Sequence, residues 1–221
     1  MSECCFKLDH YRDTLKKYIF AGYKLIDFDD YFAMRGNGGL PEKFVLLRHD
    51  IDFSPRMAAD LVVAELAIGT KSTLFVRLHA RQYNILSAEN LHQLWWTMSI
   101  VGCSAGIHLE PDMVGLAGIE DRDQWLESCV KILNTIMSKR LCAASIHCVA
   151  KGILDTEWMR DALGRLGIPL VTHNMPGLKY LSDSNGRWRE GCFCQWIDRE
   201  PRIHLLTHPI WWFDRSPQEN Y

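Results

Sequence analysis

The sequence predicts an α/β domain built on a parallel sheet, and three observations carry that prediction. Short apolar runs of strand length alternate along the chain with segments of helical periodicity. Those helical segments are long enough to serve as crossovers between parallel strands. The chain of 221 residues, 48% hydrophobic and 24% charged, suits one such domain and can bury a core without staples.

The elements follow in order. Residues 6–22 read as an amphipathic helix, with Phe6, Tyr11, Leu15, Tyr18 and Ile19 on one side and Gly22 as its stop. A polar, Gly-rich loop is expected at Arg35–Gly39. Phe44–Leu47 is an apolar run bounded by Pro41 and by charge, the pattern of a buried parallel strand. Pro55 can open a helix in its first turn, and Met57–Ile68 keeps the helical period until Gly69. Strand and helix then alternate: Ser72–Leu78, Ala88–Val101, Ala105–His108, Trp125–Met137, Ala143–His147, Thr156–Leu166 and Leu170–Thr172. Gly177–Leu181 and Ile203–Thr207 read as closing strands around a turn-rich stretch with Asn185-Gly186. Without a linker, repeat or low-complexity tract, residues 1–221 are expected to form one domain. Residues 1–43, a helix and a loop, would pack on its sheet, open or closed into a barrel.

Composition excludes several classes. Twenty-five Lys and Arg against 27 Asp and Glu leave a net charge of −2, which offers no basic field for a nucleic-acid backbone. No apolar stretch reaches the length of a membrane span, and Asp9, Arg12, Asp13, Lys16 and Lys17 interrupt the N-terminal segment where a secretory signal would be apolar. A cytoplasmic location is expected. The eight cysteines, at 4, 5, 103, 129, 142, 148, 192 and 194, include no CxxC pair. Cys192-x-Cys194 is too weak a zinc signature by itself, so all eight read as reduced, mostly buried hydrophobes. No GxGxxG, Walker-type loop or GxSxG elbow occurs.

Groups that bind metals or move protons collect at the C-terminal ends of the expected strands, the edge where parallel sheets and barrels place their sites. These are Arg48-His49-Asp50-Ile51-Asp52, His108-Leu109-Glu110, Ser145-Ile146-His147 and Thr207-His208-Pro209. If the first strand persists to residue 52, Asp50 and Asp52 share one face and His49 points to the other. Two carboxylates so placed repel unless a cation or proton lies between them. A divalent metal resolves this, one acid ligating it and the other taking a proton from its bound water. His108 is a candidate ligand, and Gly106 before it allows close packing. Of His147 and His208, one should complete the metal sphere and the other act as general acid. His10, His79, His92, His173 and His204 lack such company and read as packing residues. Arg48, Trp211 and Trp212 are candidate substrate contacts, the tryptophans as a stacking wall for a sugar ring.

At these residues the chain resembles the polysaccharide deacetylase superfamily, metal-dependent amidohydrolases, and is most similar to a branch linked with surface-polysaccharide and O-antigen biosynthesis. The carrying segments are Leu47–Ser54, Lys71–Val76 with Tyr83-Asn84, Gly106–His108, Tyr180–Ser184 with Gly186–Trp188, and His208–Trp212. The resemblance spans roughly residues 6–213. It implies a distorted (β/α)7 barrel that removes an acyl group, usually acetyl, from the amide nitrogen of an amino sugar or sugar conjugate. It also implies one divalent metal, zinc with cobalt or nickel as alternatives, held by Asp52, His108 and a third ligand. Asp50 becomes the base, and His208 resembles the late histidine that protonates the leaving amine. The familiar second metal histidine falls on Asp112, after Pro111, so His147 is the preferred third ligand. Ile51 separates two acids that are adjacent in the familiar motif, and Cys103-Ser104 stand where relatives carry His-Glu. Two other readings keep the fold: a metal-free hydrolase of cyclic amides, and a catalytically silent carbohydrate-binding barrel.

Overall fold

The strand that carries Asp50, with Asp52 just past its end, lies in the middle of the sheet. Phe44–Ile51 (β2) is buried at every position, as a strand must be when both its faces are covered. Along one edge it pairs with β7, Arg202–Thr207. Along the other, β1 (Lys24–Ile26) pairs with its first half and β3 (Thr73–Val76) with its second. The sheet continues from β3 to β4 (Ser104–Leu109) and β5 (Ala143–Ile146), and from β7 to β6 (Lys179–Ser182). All of these pairings are parallel. The computed structural model describes residues 5–110, 121–147, 156–172 and 175–214. Among them the sheet is a curled half-barrel with β5 and β6 at its ends.

Among the described residues six helices cover it: α1 (Leu8–Phe20), α2 (Phe28–Gly36), α3 (Pro55–Leu66), α4 (Ala88–Trp95), α5 (Arg122–Met137) and α6 (Thr156–Arg165). Most begin on a side-chain cap. Asp27, Ser54, Ser87 and Asp121 each accept a hydrogen bond from the backbone N–H three residues on, and Pro55 occupies the first turn of α3 as expected. The helix predicted over 88–101 ends in one π turn, Trp96–Ile100.

Three expectations are corrected. The segment before residue 43 adds a strand to the sheet and a second helix, α2, whose sequence FDDYFAMRG has no clean apolar stripe. That helix runs into the predicted loop as far as Gly36. Leu170–Thr172 makes only an isolated bridge to Ala144; Pro169 lacks the N–H that would extend a ladder.

Strand alternation sorts the core. Val45 and Leu47 face outward into a cluster with Tyr11, Leu15, Tyr18, Leu61, Phe193 and Trp212. Phe44 and Leu46 face inward with Phe28 and Phe75. Residues 48 and 50 therefore point into the curl of the sheet and His49 points out. Gly106 works as anticipated: a Cβ there would lie 2.6 Å from the Phe75 ring. Its absence lets that ring lie against β4, and the Arg48 guanidinium sits over the ring, 4.7 Å from its centroid.

Candidate active site

Five of the predicted side chains meet at the C-terminal edge of the sheet, around Asp52. His108 Nε2 lies 3.4 Å from Asp50 Oδ2 and 3.6 Å from Asp52 Oδ1. His147 Nε2 lies 3.7 Å from Asp52 Oδ1, and His208 Nε2 3.8 Å from Asp52 Oδ2. Asp50 and Asp52 share a face although Ile51 separates them, because β2 stays extended through residue 51.

The two carboxylates have opposite environments. Arg48 grips Asp50 with both prongs, Nε donating to Oδ1 and Nη2 to Oδ2, each at 2.8 Å. Burial opposes the Asp50 charge, but the Arg48 guanidinium and neighbouring imidazoles override it and hold the carboxyl below the usual range. Burial raises the Asp52 carboxyl, and the Asp50 charge raises it further. Among the described residues, Asp52 Oδ1 is buried without a hydrogen-bond partner. Arg77 braces the same turn: Nη1 donates to the Asp52 carbonyl at 3.2 Å and Nε to Glu110 Oε1 at 2.7 Å.

The histidines differ too. Burial pushes His108 down to about 3, so it is neutral at physiological pH, and its Nδ1 lies 2.7 Å from Ser145 Oγ. His208 Nδ1 lies 2.7 Å from Asp183 Oδ1, with the His208 backbone N–H also directed at that carboxylate. Burial works against a charged His208, but the hydrogen bond and charge of Asp183 prevail and raise it to about 9. Trp212 Nε1 donates to Asp183 Oδ2 at 2.8 Å.

These donors suit a divalent cation. A buried carboxylate oxygen without a hydrogen bond is costly; among the described residues two imidazole nitrogens at 3.6 and 3.7 Å and Arg77 Nη1 at 3.7 Å face this one, all too far for hydrogen bonds. Tetrahedral zinc with bonds of roughly 2.1 Å keeps neighbouring donors about 3.4 Å apart. His108 and His147 are themselves splayed, their ring centroids 5.3 Å apart at 81°.

Two substrate contacts change place. Trp212 is 2% exposed, packed among Tyr11, Phe193 and Trp188; it stands behind His208 and is not a wall open to a sugar. Arg48 is buried with its fork committed to Asp50. Trp211 is half-buried, its ring against Gly186. Asp112 lies outside the described residues, as do Cys148 and His173. Sequence reasoning gave no role to Asp183, Ser145, Arg77 or Glu110. Asp183, Arg77 and Glu110 each follow the end of a strand, so the same edge rule would have found them.

A second donor set lies elsewhere. His10, Cys192 and Cys194 place one ligand atom each within 4.8 Å of one another and could hold a metal ion, a closure the Asp52 set does not reach. No protein-family model matches the chain, and no curated protein matches it.

Proposed function

We propose that the chain is a metal-dependent hydrolase of the polysaccharide deacetylase type that removes an acyl group, typically acetyl, from the nitrogen of an amino sugar or sugar conjugate. One observation carries the reading: two acids of unequal environment and three histidines converge at one sheet edge around an orphaned carboxylate oxygen. Asp52, His108 and His147 would hold the cation. A cation there supplies Lewis acidity and lowers the pKa of water at the site.

Asp50 accepts the proton of the attacking water at its carboxylate. The Arg48 fork keeps it ionised and fixes its angle; the cost is lower basicity, tolerable because the water is acidified. The oxygen adds to the amide carbon, and His208 Nε2 gives its proton to the amide nitrogen as the C–N bond breaks. Amine and carboxylic acid leave. Asp183 holds Nδ1 throughout, keeping the proton on Nε2 directed at the site.

A second reading is favoured by one contact pattern. Both Asp50 oxygens already bind Arg48, whereas Asp52 Oδ1 is without a hydrogen bond. A metal-free amide hydrolase on this frame would use Asp52 as its base. The test is acid release from N-acetylated amino sugars. Release that stops with chelator, returns with zinc, cobalt or nickel, and is absent in Asp50→Asn supports the metal reading. Release that survives the chelator supports the metal-free one. No release from these sugars and no opening of small cyclic amides, with sugar binding unchanged in Asp50→Asn, would sink both in favour of a silent carbohydrate-binding barrel.

A further inference from the structure

The β6–β7 connection and α1 are far apart in sequence yet share a cluster of soft donors. His10 Nε2 lies 3.3 Å from Cys192 Sγ, across 182 residues, and Cys194 completes a trio within 4.8 Å. None of the three belongs to the site at the sheet edge. Neither cysteine is in a disulfide.

The backbone holds this trio in place. The carbonyl of Phe193, between the two cysteines, accepts a 2.7 Å hydrogen bond from the Tyr18 hydroxyl. Tyr18 lies two helical turns beyond His10 on α1, so the helix that brings the imidazole also pins the loop that brings the thiols. Phe193–Gln195 forms one 3₁₀ turn, with the Gln195 N–H donating to the Cys192 carbonyl at 2.9 Å. Gly191 enters that turn at φ +85°, and a Cβ there would lie 2.9 Å from the Gln195 side chain. Phe193 is fully buried, stacked near Tyr18 and edge-on to His10. Cys192 is buried while His10 and Cys194 are half-buried, which leaves an ion a path in from solvent.

We infer that His10, Cys192 and Cys194 bind one zinc-class ion that clamps α1 to the β6–β7 connection. Two thiolates and an imidazole are a borderline-soft set that favours zinc over magnesium or calcium. Zinc bonds of about 2.0–2.3 Å hold donors roughly 3.4–3.8 Å apart, so small side-chain rotations close the trio, and water takes the fourth position. Both thiols lose their protons on binding. The ion's function is to hold structure: it joins a helix to the loop beneath it, beside the cluster formed by Tyr11, Tyr18, Phe193 and Trp212.

Cobalt(II) titration of the reduced full chain tests this, because thiolate-to-cobalt charge transfer reports sulfur ligands and is blind to the Asp52 set. The expected result is one equivalent of charge-transfer band with tetrahedral d–d absorption, retained in Asp52→Ala. Cys194→Ser should weaken cobalt binding by at least about 100-fold, beyond the loss of an outer partner, and His10→Ala should alter the d–d bands. Zinc should raise the Tm of Asp52→Ala and not that of the double variant Asp52→Ala/Cys194→Ser. No charge-transfer band in Asp52→Ala at one equivalent, or a band unchanged in Cys194→Ser and Cys192→Ser, would overturn the inference. Should Cys192→Ser fail to fold, the half-buried Cys194 decides alone.

Discussion

The two faces of β2 hold adjacent polar residues under opposite conditions. On the outer face, His49 Nδ1 meets Thr207 Oγ1 at 2.6 Å and its Nε2 meets Glu65 Oε1 at 2.8 Å. Tyr11 donates to the same Glu65 oxygen and Ser72 to the other, each at 2.7 Å. Every polar group in that network has its partner without any ligand. On the inner face, from Asp50 to Asp52 just past the strand end, Asp52 Oδ1 has no hydrogen-bond partner among the described residues and three imidazoles stop at 3.4–3.8 Å from the acids. A satisfied buried network fixes a core; an unsatisfied one is arranged for something that arrives. The residues of the proposed hydrolase site thus lie on the face whose polar groups are less completely paired.

Substitutions on the two faces should separate into activity and stability. The largest expected effect is Asp50→Asn on the inner face, which should lower acid release per folded molecule by about 10²–10⁴-fold, far more than the stability lost when the buried Arg48 guanidinium loses its counter-charge can account for. Glu65→Ala on the outer face should do the reverse. Removing it takes the partner from the buried Tyr11 hydroxyl, His49 Nε2 and the Ser72 hydroxyl, at roughly 3–5 kcal/mol, read by denaturant unfolding, while turnover per folded molecule is unchanged. A large loss of turnover in Glu65→Ala at full folding would break the comparison.

Ser145→Ala should be gentler. It removes the contact that orients His108 through Nδ1 and should weaken metal binding at the inner face by about 10–100-fold. Isothermal titration in a Cys194→Ser background isolates that site from the thiolate set. Equal affinity in the two proteins would mean that His108 is held by packing alone.

The inner face was legible because its residue types are rare at strand ends and the strand period of two predicts which of them share a face. Asp50, Asp52, His108, His147 and His208 needed only that rule. The second donor set was not legible, since nothing in the local sequence of His10 indicates a partner 182 residues away. Trp212 was misplaced for a related reason: an indole beside a histidine motif looks the same in sequence whether it faces a sugar or packs behind the histidine. The strand β1 and helix α2 escaped because three residues are too few to show alternation and FDDYFAMRG owes its start to the Asp27 cap.

The smallest effect, and the one most specific to geometry, concerns His208. Its imidazole is 13% exposed and faces two acids, Asp183 at 2.7 Å and Asp52 at 3.8 Å. In metal-free protein it should titrate near pH 9, well above the roughly 6.5 of an unperturbed histidine. A histidine raised in the folded state stabilises the fold fully below about pH 6.5 and loses that contribution as pH rises through about 9. Wild-type stability should therefore fall across this window, and Asp183→Asn should flatten the fall while moving the His208 NMR titration down toward the ordinary range. Trp212→Phe keeps the ring in the core but removes the donor to Asp183 Oδ2, leaving that carboxylate with more charge for His208, so its titration should move slightly upward. The opposite shifts distinguish an Asp183 that tunes the imidazole from one that merely fills space. If neither variant moves the titration, the proton on His208 is not governed by Asp183 and its assignment as the acid fails.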